Sequence, residues 1–155
     1  MTTVAYAAVT QSGLSFDRQL WMRPEIIPGL RRLTDAIHAE GAAAGIQLGH
    51  CGNMSHKSIC GCMPVGASSG FNLYSPPFVR GLRADELPEM ARAYGRSVNL
   101  AREAGFDSVE IHAGHGYLIS QFLSPSTNHR KDEFGGSLQN RMRFMDMVME
   151  EVMKA

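Results

Sequence analysis

The chain has 155 residues, with 15 basic and 15 acidic side chains and a formal net charge of +0. That length builds one modest domain around a single core, and evenly interspersed charge excludes the electrostatic footprint of a nucleic-acid or anionic-membrane binder. No window approaches the ~18 apolar residues of a membrane span, and the first residues lack the charged-then-apolar order of a signal peptide, so a cytoplasmic protein handling small molecules is expected.

Residues 3–9 hold β-branched side chains and alanines ahead of Gln11, Ser12 and Gly13, which predicts a strand followed by a loop. Ile26, Leu30, Leu33 and Ile37 then recur at helical spacing, with Pro24 suited to the first turn and Gly41 to the C-terminal cap. Residues 43–48 read as a second, buried strand of small residues. A long loop rich in glycine, serine and cysteine follows. Leu87, Met90, Tyr94, Val98 and Ala101 predict a second long helix, closed by Gly105. Val109 and Ile111 mark a third strand over residues 108–112. After another long loop, a helix opens at Ser137 with Leu138, Met145, Val148 and Val152 on one face.

Strands alternating with helices imply parallel strands joined by right-handed crossovers, an α/β fold of about three βα units. No linker, charge run or internal repeat divides them, so the chain reads as one domain. In such sheets the chemistry lies beyond the C-terminal ends of the strands. Gln47 and the group His112, His115 and Tyr117 both fall at such ends.

Histidines three apart would point to opposite faces of a continuous strand, so His112 and His115 converge only if the strand has already ended. Gly114 and Gly116 permit that turn. From the residues alone the pair reads as two buried histidines satisfied by backbone, or as part of a zinc site, which needs further ligands nearby. Cys51, Cys60 and Cys62 are an odd number without a secretory signal, so free thiols are expected rather than a disulfide framework. With His50 and His56 they can be drawn as a metal site, but Cys-x-Cys is not a usual zinc spacing and no metal is expected.

The segment from Gly105 to Phe144 carries a longer pattern: His112, His115, Gly116, Tyr117, Gln121, Ser124, Pro125, Asn128, Arg130, Asp132, Gly135, Gly136, Ser137, Asn140, Arg141, Arg143 and Phe144. In order and spacing it resembles the Old Yellow Enzyme family of flavin-dependent ene-reductases, whose strand ends in His-x-x-His-Gly-Tyr and runs on through Gln-Phe-Leu-Ser-Pro, Asn-x-Arg-x-Asp, Gly-Gly-Ser and Asn-Arg-x-Arg-Phe. The likeness extends upstream through residues 41–52 and covers essentially the whole chain. The chain is nonetheless short for a (β/α)₈ barrel, which typically needs ~250 residues.

The resemblance implies a partial TIM barrel, with residues 1–155 forming the second to fourth βα units of a single FMN-binding domain. It implies reduction of FMN by NAD(P)H, then hydride transfer to an activated alkene, an enone or enoate. His112 and His115 would hold the substrate's carbonyl oxygen and Tyr117 would supply the proton, a phenol of ordinary pKa ~10 being protonated at neutral pH. Gln47 would hydrogen-bond the flavin, and Tyr6 would lie near it at the end of the first strand. Two departures stand out: Asn53 occupies a position where many relatives have arginine, and Gln139 one where glutamate is frequent. Asn128, Arg130, Asp132 and Gly135–Ser137 are expected to be architectural. The alternative is a non-catalytic half-barrel that folds or functions by association. On either reading the chain alone is expected to be incomplete, inactive and self-associating.

Overall fold

The computed structural model describes residues 1–71 and 78–155; part of the long loop after the second strand lies outside them. Strand β1 (Thr2–Ala8) leads through helix α1 (Ile27–Ala39) to β2 (Ala44–Gly49). The following excursion contains a one-turn helix α2 (Lys57–Cys60) and two short strands, β3 (Val65–Gly66) and β4 (Arg80–Gly81). It ends in α3 (Leu87–Glu103), which feeds β5 (Ser108–Ile111), and α4 (Leu118–Leu123) and α5 (Leu138–Lys154) complete the chain. The main sheet has the order β1-β2-β5, all parallel, so consecutive βα units lie side by side as the alternation predicts. β3 and β4 form a separate two-stranded parallel pair. No described helix is long and apolar enough to cross a membrane.

The pleat of β2 sorts its residues onto two faces. Ala44, Ile46 and Leu48 are fully buried against the helices, whereas Gly45, Gln47 and Gly49 look the other way. On the helix side α3 contributes Leu87, Ala91, Tyr94 and Ala101, and α5 contributes Phe144 and Val148. Phe122 of α4 meets Phe144 with ring centroids 4.5 Å apart. Helices α3 and α5 approach so closely that a Cβ on Gly95 would lie 2.8 Å from the Glu151 carbonyl oxygen.

Three local expectations need correction. On α1 the buried residues are Ile27, Leu30 and Thr34, while Leu33 is 41% exposed. Thr34 is tolerated inside because its hydroxyl donates to the Ala104 carbonyl at 2.6 Å, a bond that an apolar-periodicity reading does not see. On α5, Leu138 is 60% exposed and the apolar face begins at Phe144. The loop after β5 is partly helical, since α4 inserts Leu118, Ile119 and Phe122 into the core. The caps behave as expected: Gly41 and Gly105 adopt positive φ (72° and 86°), and the Ser137 hydroxyl accepts from the Asn140 N–H at 3.2 Å.

Candidate active site

The last backbone bond of the β5 ladder runs from the His112 N–H to the Leu48 carbonyl, and beyond it the chain turns sharply. The turn is made by His115 and Gly116, with φ of 55° and 69°, rather than by Gly114. A non-glycine residue in the left-handed region is uncommon. Here it brings His115 back toward His112, and their nearest ring nitrogens, Nδ1 of His115 and Nε2 of His112, lie 3.1 Å apart.

Tyr117 and Tyr6 join this pair in one aromatic cluster. The Tyr117 ring stands edge-on to His112 (centroids 4.9 Å) and to Tyr6 (5.2 Å), and Tyr6 also meets His112 at 5.7 Å. Such tilted contacts pair ring edges with ring faces and fix orientation more than simple burial does. Gly49 lies beneath: a Cβ there would sit 2.9 Å from the Tyr6 ring and 3.1 Å from the His112 Cβ. The cluster thus occupies the C-terminal mouth of the sheet, on the face opposite the helices.

The environments of the four side chains differ. His112 is buried, and desolvation, reinforced by the neighbouring His115, holds its pKa below the usual histidine value and keeps it neutral. His115 is exposed. In the observed arrangement one of the two facing nitrogens donates and the other accepts. An anionic oxygen bound by both requires both to donate, so the exposed His115 ring must move aside to admit it. Tyr6 is half-buried, and desolvation raises its pKa; its hydroxyl donates to the Gly13 carbonyl at 3.0 Å and is therefore engaged within the protein. Only its ring is available to a ligand.

Gln47 belongs to the same sheet face but lies two residues before the end of β2. Its amide donates to the Glu110 carboxylate across the ladder at 2.6 Å. The residue fits a flavin ring in one respect: Gln47 is only half-buried, and its carboxamide can both donate and accept.

Two residues that hold this geometry were not read as part of it from the sequence, Gln121 standing only as a member of the family pattern and His50 only in a possible metal site. Gln121 is 1% exposed, and its carboxamide spans the loops after β2 and β5, donating toward the carbonyls of Gly116 (2.6 Å) and Cys51 (3.2 Å) and to Asn53 Oδ1 (2.9 Å) while accepting from the Asn53 N–H (3.1 Å). Its place in the family pattern Gln-Phe-Leu-Ser-Pro was the available signal. His50 is fully buried, with Nδ1 accepting from the Gly52 N–H at 2.9 Å and Nε2 3.0 Å from the Ser12 hydroxyl. Burial pushes its pKa down to about 3. Its carbonyl accepts from the Leu118 N–H, tying β2 to α4.

The residues read as architectural are so. Asn128 donates to the Phe122 and Phe134 carbonyls at 2.7 and 2.8 Å. Arg130 forms a two-point ion pair with Asp132 and donates to the carbonyls of Ala67 (2.9 Å) and Leu82, pinning the β3–β4 excursion to the loop after α4. Among the described residues no group of three or more metal-ligating side chains converges.

Comparison with known proteins places these features in a family. The profile of the NADH:flavin oxidoreductase / NADH oxidase family matches residues 1–155. A 4,4'-dithiodibutanoate disulfide reductase of Rhodococcus erythropolis is 40% identical over 152 residues, covering 98% of this chain and 38% of its own length. An NADPH dehydrogenase of Bacillus subtilis is 38% identical, covering 96% of this chain and 44% of its own. Among solved structures, the old yellow enzyme homologue of Zymomonas mobilis superposes with a TM-score of 0.91 at 32% identity, over 98% of this chain and 46% of that one. Morphinone reductase in complex with tetrahydroNAD gives 0.92 at 28% identity, over 98% and 47%. The chain therefore spans less than half the length of these relatives. With the family profile matched from end to end and the same backbone in its solved members, the chain belongs to the NADH:flavin oxidoreductase / NADH oxidase family, the Old Yellow Enzyme group, and forms a run of βα units of its TIM barrel.

Proposed function

We propose that the protein of which these residues form the second to fourth βα units is an FMN-dependent oxidoreductase that takes hydride from NAD(P)H and delivers it to an activated alkene, an enone or enoate. The observation that carries this reading is the convergence of His112, His115 and Tyr117 at the mouth of the sheet, with two ring nitrogens 3.1 Å apart beside a phenol. FMN, when bound, supplies the hydride. His112 and His115 hold the carbonyl oxygen of the alkene and donate to the negative charge that grows there, which stabilises the transition state more than the ground state. A neutral His112 suits this role, because it donates without carrying a charge of its own into a partly desolvated site. The Tyr117 hydroxyl gives its proton to the α-carbon. Gln47 meets the flavin through its carboxamide and Tyr6 through its ring.

The test is Tyr117→Phe in the full-length protein, with the two half-reactions followed separately by stopped-flow absorbance. Flavin reduction by the nicotinamide is expected to be nearly unchanged, and alkene reduction to slow by about 10²–10⁴-fold, the contribution of a positioned proton donor. Equal loss in both half-reactions removes Tyr117 from that role.

A second reading, a half-barrel that completes itself by association, rests on the sheet edges. Among the described strands, β1 and β5 each pair only with β2, and apart from Ala8, which is bridged to Trp21, their outer edges leave backbone donors and acceptors open to further strands. This reading expects the 155-residue chain to elute from gel filtration as an oligomer; a monodisperse monomer removes it.

A further inference from the structure

The excursion between β2 and α3 carries a pair of thiols that the flavin chemistry does not use. Cys60 ends α2 and is 2% exposed, whereas Cys62 is exposed. Gly61 between them has φ 73°, closes the helix through its N–H to the Lys57 carbonyl, and folds the chain back on itself. The two sulfurs consequently lie 3.5 Å apart, with the Cys62 thiol directed at Cys60 Sγ. A disulfide is about 2.05 Å long, so bond formation asks for an approach of roughly 1.5 Å. The glycine supplies backbone freedom for it. On its solvent side Cys62 borders a cleft of about 600 Å³ that also contains Met63, Val65, Leu82 and Met90. A small molecule can therefore reach one sulfur while the other stays covered behind it.

We propose that Cys60 and Cys62 form a dithiol that exchanges with low-molecular-weight disulfides, Cys62 attacking and Cys60 resolving. In the first step the Cys62 thiolate attacks one sulfur of RSSR; a Cys62–SR mixed disulfide forms, the S–S bond of the reagent breaks, and RS⁻ leaves and takes up a proton. In the second, Cys60 gives its proton to solvent and its thiolate attacks Cys62 Sγ. The Cys60–Cys62 bond forms and the second RS⁻ leaves as RSH. Two protein thiols are oxidised by two electrons and one disulfide is reduced to two thiols, so oxidant and product balance. Burial and the neighbouring Cys60 thiol push the Cys62 pKa up to about 11, so the first step accelerates as pH rises through the alkaline range. Nothing in this sequence requires flavin, and it stands apart from the alkene reaction.

The experiment uses the full-length protein with oxidised glutathione at mildly alkaline pH, followed by acid quench, alkylation, trypsin and mass spectrometry. Residues 58–80 form one tryptic peptide holding both thiols, and Cys51 falls in another. The expected product is that peptide two hydrogens lighter and unalkylated, with Cys60→Ser instead retaining a glutathione adduct on Cys62. Titration against mixtures of oxidised and reduced glutathione should give an equilibrium constant about tenfold more favourable in the folded chain than in concentrated urea, because the fold holds the sulfurs together. Alkylation of both thiols, a wild-type adduct that never closes, or equal constants with and without urea each overturn the proposal.

Discussion

Replacing His50 with glutamine should flatten the response of stability to mild acid. The His50 ring is fully buried, with Nδ1 already accepting from the Gly52 N–H and the opposite nitrogen against the Ser12 hydroxyl. Protonation would place a proton where that acceptor is needed and a charge where no water reaches, so the folded-state pKa falls from 6.5 to about 3. The sign follows from linkage: a depressed folded pKa contributes stability that is complete above the unfolded value and is lost progressively as pH falls from 6.5 toward 3. Between pH 7 and pH 5 the unfolded chain takes up most of one proton at this site and the folded chain almost none. At about 1.4 kcal/mol per pH unit, this removes about 2 kcal/mol. Glu86, Glu89, Asp107 and Asp132, whose carboxyls are held low mainly by hydrogen bonds, begin to contribute only at lower pH. His112 acts in the same direction but is present in both proteins, so it cancels in the difference. The assay is urea unfolding followed by the fluorescence of Trp21, the single tryptophan, at pH 7 and pH 5. Wild type should lose about 2 kcal/mol more than His50→Gln over that interval. Equal losses would refute the claim that this ring is kept neutral by the fold.

Tyr94 is fully buried, and among the described residues its hydroxyl has no hydrogen-bond partner. Tyr94→Phe should therefore be neutral or stabilise by up to about 1 kcal/mol in urea unfolding, and a loss above that size would show that the hydroxyl is satisfied. Gln121→Ala removes bonds to the Gly116 and Cys51 carbonyls and the Asn53 N–H; at about 0.5–1.5 kcal/mol each it should cost about 2–3 kcal/mol, a loss under about 0.5 contradicting its role as the link between loops. In the full-length protein, His112→Ala should weaken a phenolate ligand by about 1.5–3 kcal/mol in a spectral titration, and unchanged affinity would remove it from oxyanion binding.

The strands and long helices were legible because each obeys one period. Val109 and Ile111 carry β5, and Leu87, Tyr94 and Ala101 carry α3. What escaped does not obey a period. Thr34 is buried through a hydrogen bond to a residue seventy positions away, a partner invisible to local spacing. Helix α4 spans six residues, too short for its apolar positions to distinguish helix from loop, and it is held by tertiary contacts through Phe122. The turn that brings the histidines together was placed on Gly114 and Gly116 because glycine is the usual occupant of the left-handed region; Gly116 takes it and Gly114 does not. Histidine takes that conformation here at His115, where the contact with His112 and the downstream anchoring of α4 hold it. The assignment of roles to His112, His115, Tyr117 and Gln47 came from the family pattern, since spacing alone favoured structural histidines.

The positions of those side chains depend less on β5 than on what lies behind it. Beyond His112 the chain has left the sheet, and its next firm points are the Leu118 N–H on the His50 carbonyl and the Gly116 carbonyl on Gln121. Both anchors belong to the seam between the loops after β2 and β5. His50 ties the seam to Gly52 and the Ser12 hydroxyl, and Gln121 ties it to Cys51 and Asn53. A left-handed His115 costs about 1–2 kcal/mol against ordinary backbone, so it persists only where neighbouring residues over-determine it. The seam supplies that constraint. The buried polar pair of His50 and Gln121 thus fixes the loop backbone on either side of His115, while the His115 ring itself stays exposed beside His112.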